Sequence, residues 1–113
     1  MTWTELLDAS KAEIVSSGKI SDLKEYLKID GDDDDNVLIT CVKAAVQYVV
    51  DAVGSFPEDI RSSEILLYAI TQDFYENREL MQMDIQQKKR MEYTYGSLIL
   101  QLQLRAEIGE EAG

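Results

Sequence analysis

The sequence predicts an all-α fold, a small bundle of about four helices with a possible extended C-terminal segment. Three observations predict it. Two segments, 33–53 and 62–81, carry apolar residues at helical intervals. Turn chemistry falls between such segments, at Gly18, at Asp30–Gly31 and at Gly54 through Asp59. The one alternating, strand-like run, near the C terminus, has no second run to pair with.

Thr2 and Glu5 have capping-box spacing ahead of Leu6, Leu7, Ile14 and Val15, so a first helix ending near Gly18 is expected. Ser21 is placed to cap a two-turn helix containing Leu23, Tyr26 and Leu27, which stops at Ile29, Asp30 and Gly31. Asp32, Asp33, Asp34 and Asp35 then precede the longest apolar segment. There their carboxylates are expected to accept free amide hydrogens and complement the helix dipole, with Asp32, Asp33 and Asp34 as cap residues. DGDDDD also has the look of a calcium loop, but the spacing is wrong. Counted from Asp30, the sixth and twelfth positions are Asp35 and Cys41 where an EF-hand needs Gly and Glu.

In the helix over 33–53, Asn36, Thr40, Lys43, Gln47 and Asp51 fall on one narrow stripe, and apolar residues occupy most of the remaining girth. An ordinary surface helix needs an apolar face of only about 100°. This helix is therefore expected to form the centre of a bundle or to be shared with a neighbouring subunit. Gly54 closes it, and a short turn through Pro57 makes the next helix an antiparallel neighbour. That helix, from Ser62 or Ser63 to Met81, stacks Leu67, Ile70, Phe74 and Met81 opposite Glu64, Gln72, Glu76 and Glu79. Between Glu79 and Glu92 the chain is polar and glutamine-rich, and both a continued helix and a loop remain open. From Tyr93 to Arg105, Leu98, Leu100, Leu102 and Leu104 alternate with polar residues as in a strand. With no partner strand, a short helix is expected. The domain plan is an N-terminal helix or extension over 1–20, a helical domain over 21–107 and a disordered tail over 108–113.

With 22 acidic and 11 basic residues, the chain has a formal charge of -11, which opposes binding to phosphate backbones and anionic lipid. The basic cluster Lys88, Lys89 and Arg90 is too small for a nucleic-acid patch. No signal peptide is expected, and charged or polar residues interrupt each apolar run before the ~18 residues of a membrane span, so the chain reads as soluble and intracellular. The single cysteine, Cys41, lies on the apolar face of the long helix and reads as core. Histidine is absent, no glycine-rich phosphate loop occurs, and Gly31, Gly54 and Gly96 read as isolated turn glycines. The residues therefore point away from an enzyme and from any metal or cofactor.

Taken in order, LKEYLKIDGDDDDNVLI, AAVQYVVDAVG, ILLYAITQDFYENRE and YGSLILQL resemble the phage head-tail connector, or adaptor, family of long-tailed phages and prophages, whose members are often labelled DNA-packaging proteins. The resemblance covers about residues 21–105. Its best-fitting pieces are the entry Leu23, Lys24, Tyr26, Leu27, Ile29 and Asp30 with its acidic turn, and the run Phe74, Tyr75, Glu76, Asn77 and Arg78. The resemblance implies an all-helical protein of the virion connector, assembled in the host cytoplasm. It also implies a ring of identical subunits beneath the portal protein that extends the DNA channel without binding DNA specifically and docks the next connector or tail protein. The acidic balance suits a wall past which DNA slides. A second reading is a small acidic binding protein, such as a DNA mimic or a helical regulator. Against it, the acids concentrate at one helix start and are otherwise dispersed.

Within the ring reading, the expected subunit interface is the stretch Gln82 to Leu104. Tyr93, Tyr95, Leu98, Leu100, Leu102 and Leu104 supply apolar area, and Lys88, Lys89 and Arg90 meet acidic surface on the adjacent copy.

Overall fold

The computed structural model describes residues 1–82 and 84–112, with side chains through residue 106. Among these residues the regular elements are all helical: α1 (Trp3–Leu6), α2 (Lys11–Ser16), α3 (Lys19–Leu27), α4 (Asp35–Val53), α5 (Arg61–Glu76), a 3-10 turn (Arg78–Gln82) and α6 (Ile85–Ala112).

The expected first helix is two short ones. Thr2 and Glu5 form the expected capping box, but Ser10 and Glu13 form a second, in which Ser10 Oγ accepts the Glu13 amide at 3.3 Å. A second helix start eight residues after the first breaks the first helix between Leu7 and Ser10. Gly18, at φ 82°, then turns the chain directly into α3, so that helix begins two residues before Ser21. Lys28 ends it in the left-handed region at φ 59°.

α4 is the axis of the bundle. Leu38, Cys41, Val42, Ala45, Val46 and Val49 are wholly inaccessible, while Asn36, Thr40, Gln47 and Asp51 lie on the solvent stripe. The helix is long and apolar enough to cross a membrane, yet this buried face is packed inside the protein. Lys43, on the polar stripe, donates to Ala9 O at 3.1 Å and ties α4 to the link between α1 and α2. Gly54 closes α4 at φ 99°, and its amide reaches Val50 O at 2.8 Å.

α5 runs back antiparallel and makes the most extensive contact with α4. Leu66, Leu67, Ile70 and Phe74 face the core, with Glu64, Gln72 and Glu76 exposed. The helix ends at Glu76, five residues before Met81. Asn77 closes it, its amide on Asp73 O at 2.8 Å and its side chain on Asp73 Oδ1 at 3.2 Å. The N-terminal segment belongs to the same core. Trp3, Leu6, Ile14 and Ile20 join the buried cluster of α4 and α5, and the Trp3 ring meets Tyr68 edge-on at 6.0 Å.

The acidic turn does not work as the sequence suggests. Asp34 stands at the N-cap of α4 without a side-chain cap bond, and Asp32 and Asp34 turn to tertiary partners instead. The Lys24 side chain, only 15% exposed, places Nζ 2.8 Å from both Asp32 Oδ1 and Gly31 O. It also lies 2.5 Å from Asp35 Oδ1, a contact of charge rather than of hydrogen-bond direction. Tyr75, at the end of α5, donates a short hydrogen bond to Asp34 Oδ2. Asp32 is engaged by Lys24 and Asp34 by Tyr75, so neither carboxylate is turned to a helix amide. The remaining acid, Asp33, is exposed. The expected disordered tail, 108–113, falls where side chains lie outside the described residues, as does all of Gly113. The α6 backbone itself runs to Ala112.

Two measurements check this arrangement. Val46→Asp puts an unpaired carboxylate at a position with no exposure. It should cost several kcal/mol, comparable to the whole stability of a small domain, and abolish cooperative melting by circular dichroism. Lys24 lowers the Asp32 pKa below its ordinary 3.8 through their hydrogen bond, and the same bond, followed by Asp35, raises Lys24 above 10.5. The carboxylate contribution is therefore present above about pH 4 and lost as pH falls through the lowered value; the lysine contribution is lost only as pH rises through the raised one. Lys24→Met should melt below wild type at pH 7 and converge with it near pH 2. Equal melting at pH 7 would mean that the clamp does not hold the turn.

Candidate subunit interface on the C-terminal helix

α6 is one helix throughout its described length. Asp84 starts it, with Oδ1 accepting the Gln87 amide at 2.9 Å and its carbonyl accepting the Lys88 amide at 2.9 Å. The polar stretch after Glu79 thus resolves into the 3-10 turn, anchored by buried Leu80, and the first turns of α6. Gly96, read as a turn glycine, lies in mid-helix.

The inner face of α6 is Met91, Tyr95, Ile99 and Leu102, all buried at spacings of three and four. Asp73 on α5 holds this face down. Its Oδ2 accepts the Tyr95 hydroxyl at 2.9 Å, and its Oδ1 accepts from Asn77 and lies 3.6 Å from Arg90 Nη2. Burial first, and then the bond to Asp73, raises the Tyr95 pKa far above its ordinary value, so the phenol remains a donor. Farther along, Gln103 Nε2 donates to Ala52 O at 2.6 Å near the end of α4, and Arg105 Nη1 reaches Ser62 Oγ at 3.3 Å near the start of α5.

The outer face is apolar too. Tyr93 is 93% exposed, Leu100 54% and Leu104 49%. At about 100° per residue these three point within roughly 40° of one another, on the side away from Tyr95 and Leu102. With Ser97 between them they follow heptad-like spacing. Leu98, 43% exposed, lies at the flank of the inner face. The strand-like alternation is therefore the signature of a helix with two apolar faces, since every second residue turns by roughly 200°.

The expected interface residues accordingly divide. Lys88, Lys89, Tyr93, Leu98, Leu100 and Leu104 are exposed. Tyr95 and Leu102 belong to the chain's own core and are corrected from contact residues to core residues. Arg90 is exposed, but its guanidinium already has Asp73 within its own chain. The run Phe74 to Arg78 also acquires a structural account. Phe74 is core, Tyr75 ties α5 to the acidic turn, and Asn77 closes α5. Asp73 and Gln103 escaped the sequence reading because their partners lie 22 and 51 residues away, a separation no local pattern marks.

Among the described residues no cluster of His, Cys, Asp or Glu is arranged to hold a metal ion. Burial holds the Cys41 thiol above its usual pKa, which keeps it unreactive.

A family model described as phage gp6-like head-tail connector protein matches residues 18–103, from the turn before α3 to the Gln103 contact of α6. No curated protein and no solved structure matches the chain.

Tyr95→Phe removes one hydrogen bond to Asp73 and should lower the unfolding free energy in urea by about 1 kcal/mol, and by less when Asp73 is already Asn. The contribution should hold through neutral pH and decline above about pH 10, where the unfolded chain's tyrosine ionises first. An unchanged urea midpoint would show that the hydroxyl does not help to hold α6.

Proposed function

Because this chain belongs to the phage gp6-like head-tail connector family, a structural component of the virion, we propose that it is the repeating subunit of a ring that docks beneath the portal and extends the DNA channel. The observation that carries the subunit reading is the outer face of α6, where Tyr93, Leu100 and Leu104 expose apolar area beside Lys89, with Lys88 exposed farther round the helix. Aromatic and aliphatic anchors flanked by charge are the usual make-up of a protein contact, the anchors binding and the charges orienting. The same ring would present another surface to the next connector or tail protein.

The charge of -11 supports the channel role. A wall that repels phosphate lets DNA pass without gripping it. A DNA mimic would need its carboxylates free and arrayed, whereas Asp32 and Asp35 are engaged by Lys24 and Asp34 by Tyr75. The ring reading therefore accounts for more of the molecule.

Negative-stain images of the purified protein, alone and mixed with portal, test this function. Rings, or an added layer on the portal, are expected. Lys88→Glu with Lys89→Glu, leaving Arg90 on Asp73, should reduce ring formation and the yield of completed heads while leaving the melting temperature within error. A protein that neither self-associates nor adds to portals would overturn the reading.

A further inference from the structure

A groove of about 590 Å³ runs between the C-terminal half of α4 and α6, bordered by Tyr48, Asp51, Lys88, Glu92, Gly96 and Ile99. Gly96 is its unusual element. It sits in the middle of a long helix, where glycine is destabilising relative to alanine because its backbone loses more freedom on folding. Positive φ is confined to Gly18, Gly31, Gly54 and Lys28 among the described residues, so the backbone at Gly96 does not call for glycine. A Cβ built there would meet no atom within 4 Å, so packing within the chain does not call for it either. What a missing side chain provides at such a place is close approach to the helix backbone from outside.

The groove and the outer face of α6 are complementary in charge. Asp51 and Glu92 put two carboxylates at the groove against the single ammonium of Lys88, while Lys89 stands just before Tyr93, the most exposed aromatic on the other surface. The two surfaces also differ in direction. Gly96 and Glu92 point roughly 60° to 100° around the α6 axis from Tyr93, so one copy can offer its outer face to a second while receiving a third in its groove. Contact between two different patches is heterologous, and successive heterologous contacts generate rings when the rotation closes.

Resting on the ring-subunit reading, we propose that Tyr93 on the outer face of one copy seats over Gly96 in the α4–α6 groove of the next copy, with Lys89 meeting Asp51 and Glu92. The partner is a second copy of this chain, and the contact is head-to-tail. Tyr93 is the anchor, and Gly96 lets it approach the helix.

Two variants each disable one surface. Gly96→Leu fills the groove and keeps Tyr93; Tyr93→Asp spoils the anchor and keeps the groove. Each alone, at concentrations where wild type assembles alone or on portal, should show at least a tenfold loss of ring species by sedimentation velocity and native mass spectrometry. Mixed, they should give a one-to-one heterodimer that grows no further, since each retains one working surface. Gly96→Leu should melt no lower than wild type, because its side chain enters open space, and Gly96→Ala should melt higher while weakening assembly less. Rings from Gly96→Leu equal to those of wild type, or a mixture that stays monomeric, would overturn the proposed pairing while leaving the ring-subunit reading intact. Wild type that never assembles, even with portal, would instead overturn that reading and this pairing with it.

Discussion

Everything in this protein is arranged around the apolar girth of α4. A helix that exposes only a thin polar stripe must be covered from several directions, and α1, α5 and α6 do so, with α3 closing over α5. The short helices at the N terminus could not persist alone; α1 and α2 span four and six residues. They exist because Trp3, Leu6 and Ile14 complete this core. The polar stripe contributes as well, since Lys43 sends its ammonium to the carbonyl of Ala9 and fixes where the chain turns between α1 and α2.

How much could be read in advance follows from where each signal lies. α4 and α5 were legible because amphipathic spacing and a glycine stop are local properties, and Gly54 closes α4 as its sequence suggests. The break between α1 and α2 was also local, but the Ser10 and Glu13 box was masked by the apolar spacing that runs across it. The acidic turn is legible as a turn, but the partners of its carboxylates are not. Its carboxylates bind Lys24 from the preceding helix and Tyr75 from 41 residues away, and tertiary partners of that kind overrode the capping preference. On α6 the ambiguity was physical. A helix apolar on two faces alternates much as a strand does, and only burial separates Leu102, inside, from Leu100 and Leu104, outside.

The attachment of α6 differs in kind from the contact between α4 and α5. Its inner face brings Met91, Tyr95, Ile99 and Leu102 to the core, and its placement is then set by polar bonds at Asp73, Ala52 and Ser62. Hydrophobic contact is non-directional, whereas a hydrogen bond prescribes geometry. Asp73, Ala52 and Ser62 together therefore fix the rotation of α6 about its axis, and with it the direction in which Tyr93 and Gly96 face. Any contact built on α6 inherits its accuracy from these three anchors on the neighbouring helices α4 and α5.

Trp3 is the chain's single tryptophan, held 3% exposed beneath Lys19 and against Tyr68, and its indole donates to Glu64 on α5. It precedes the segment matched by the family model and belongs to a different part of the fold from the outer face of α6. The molecule thus contains its own optical label, whose emission colour reports whether the N-terminal segment is packed on the core.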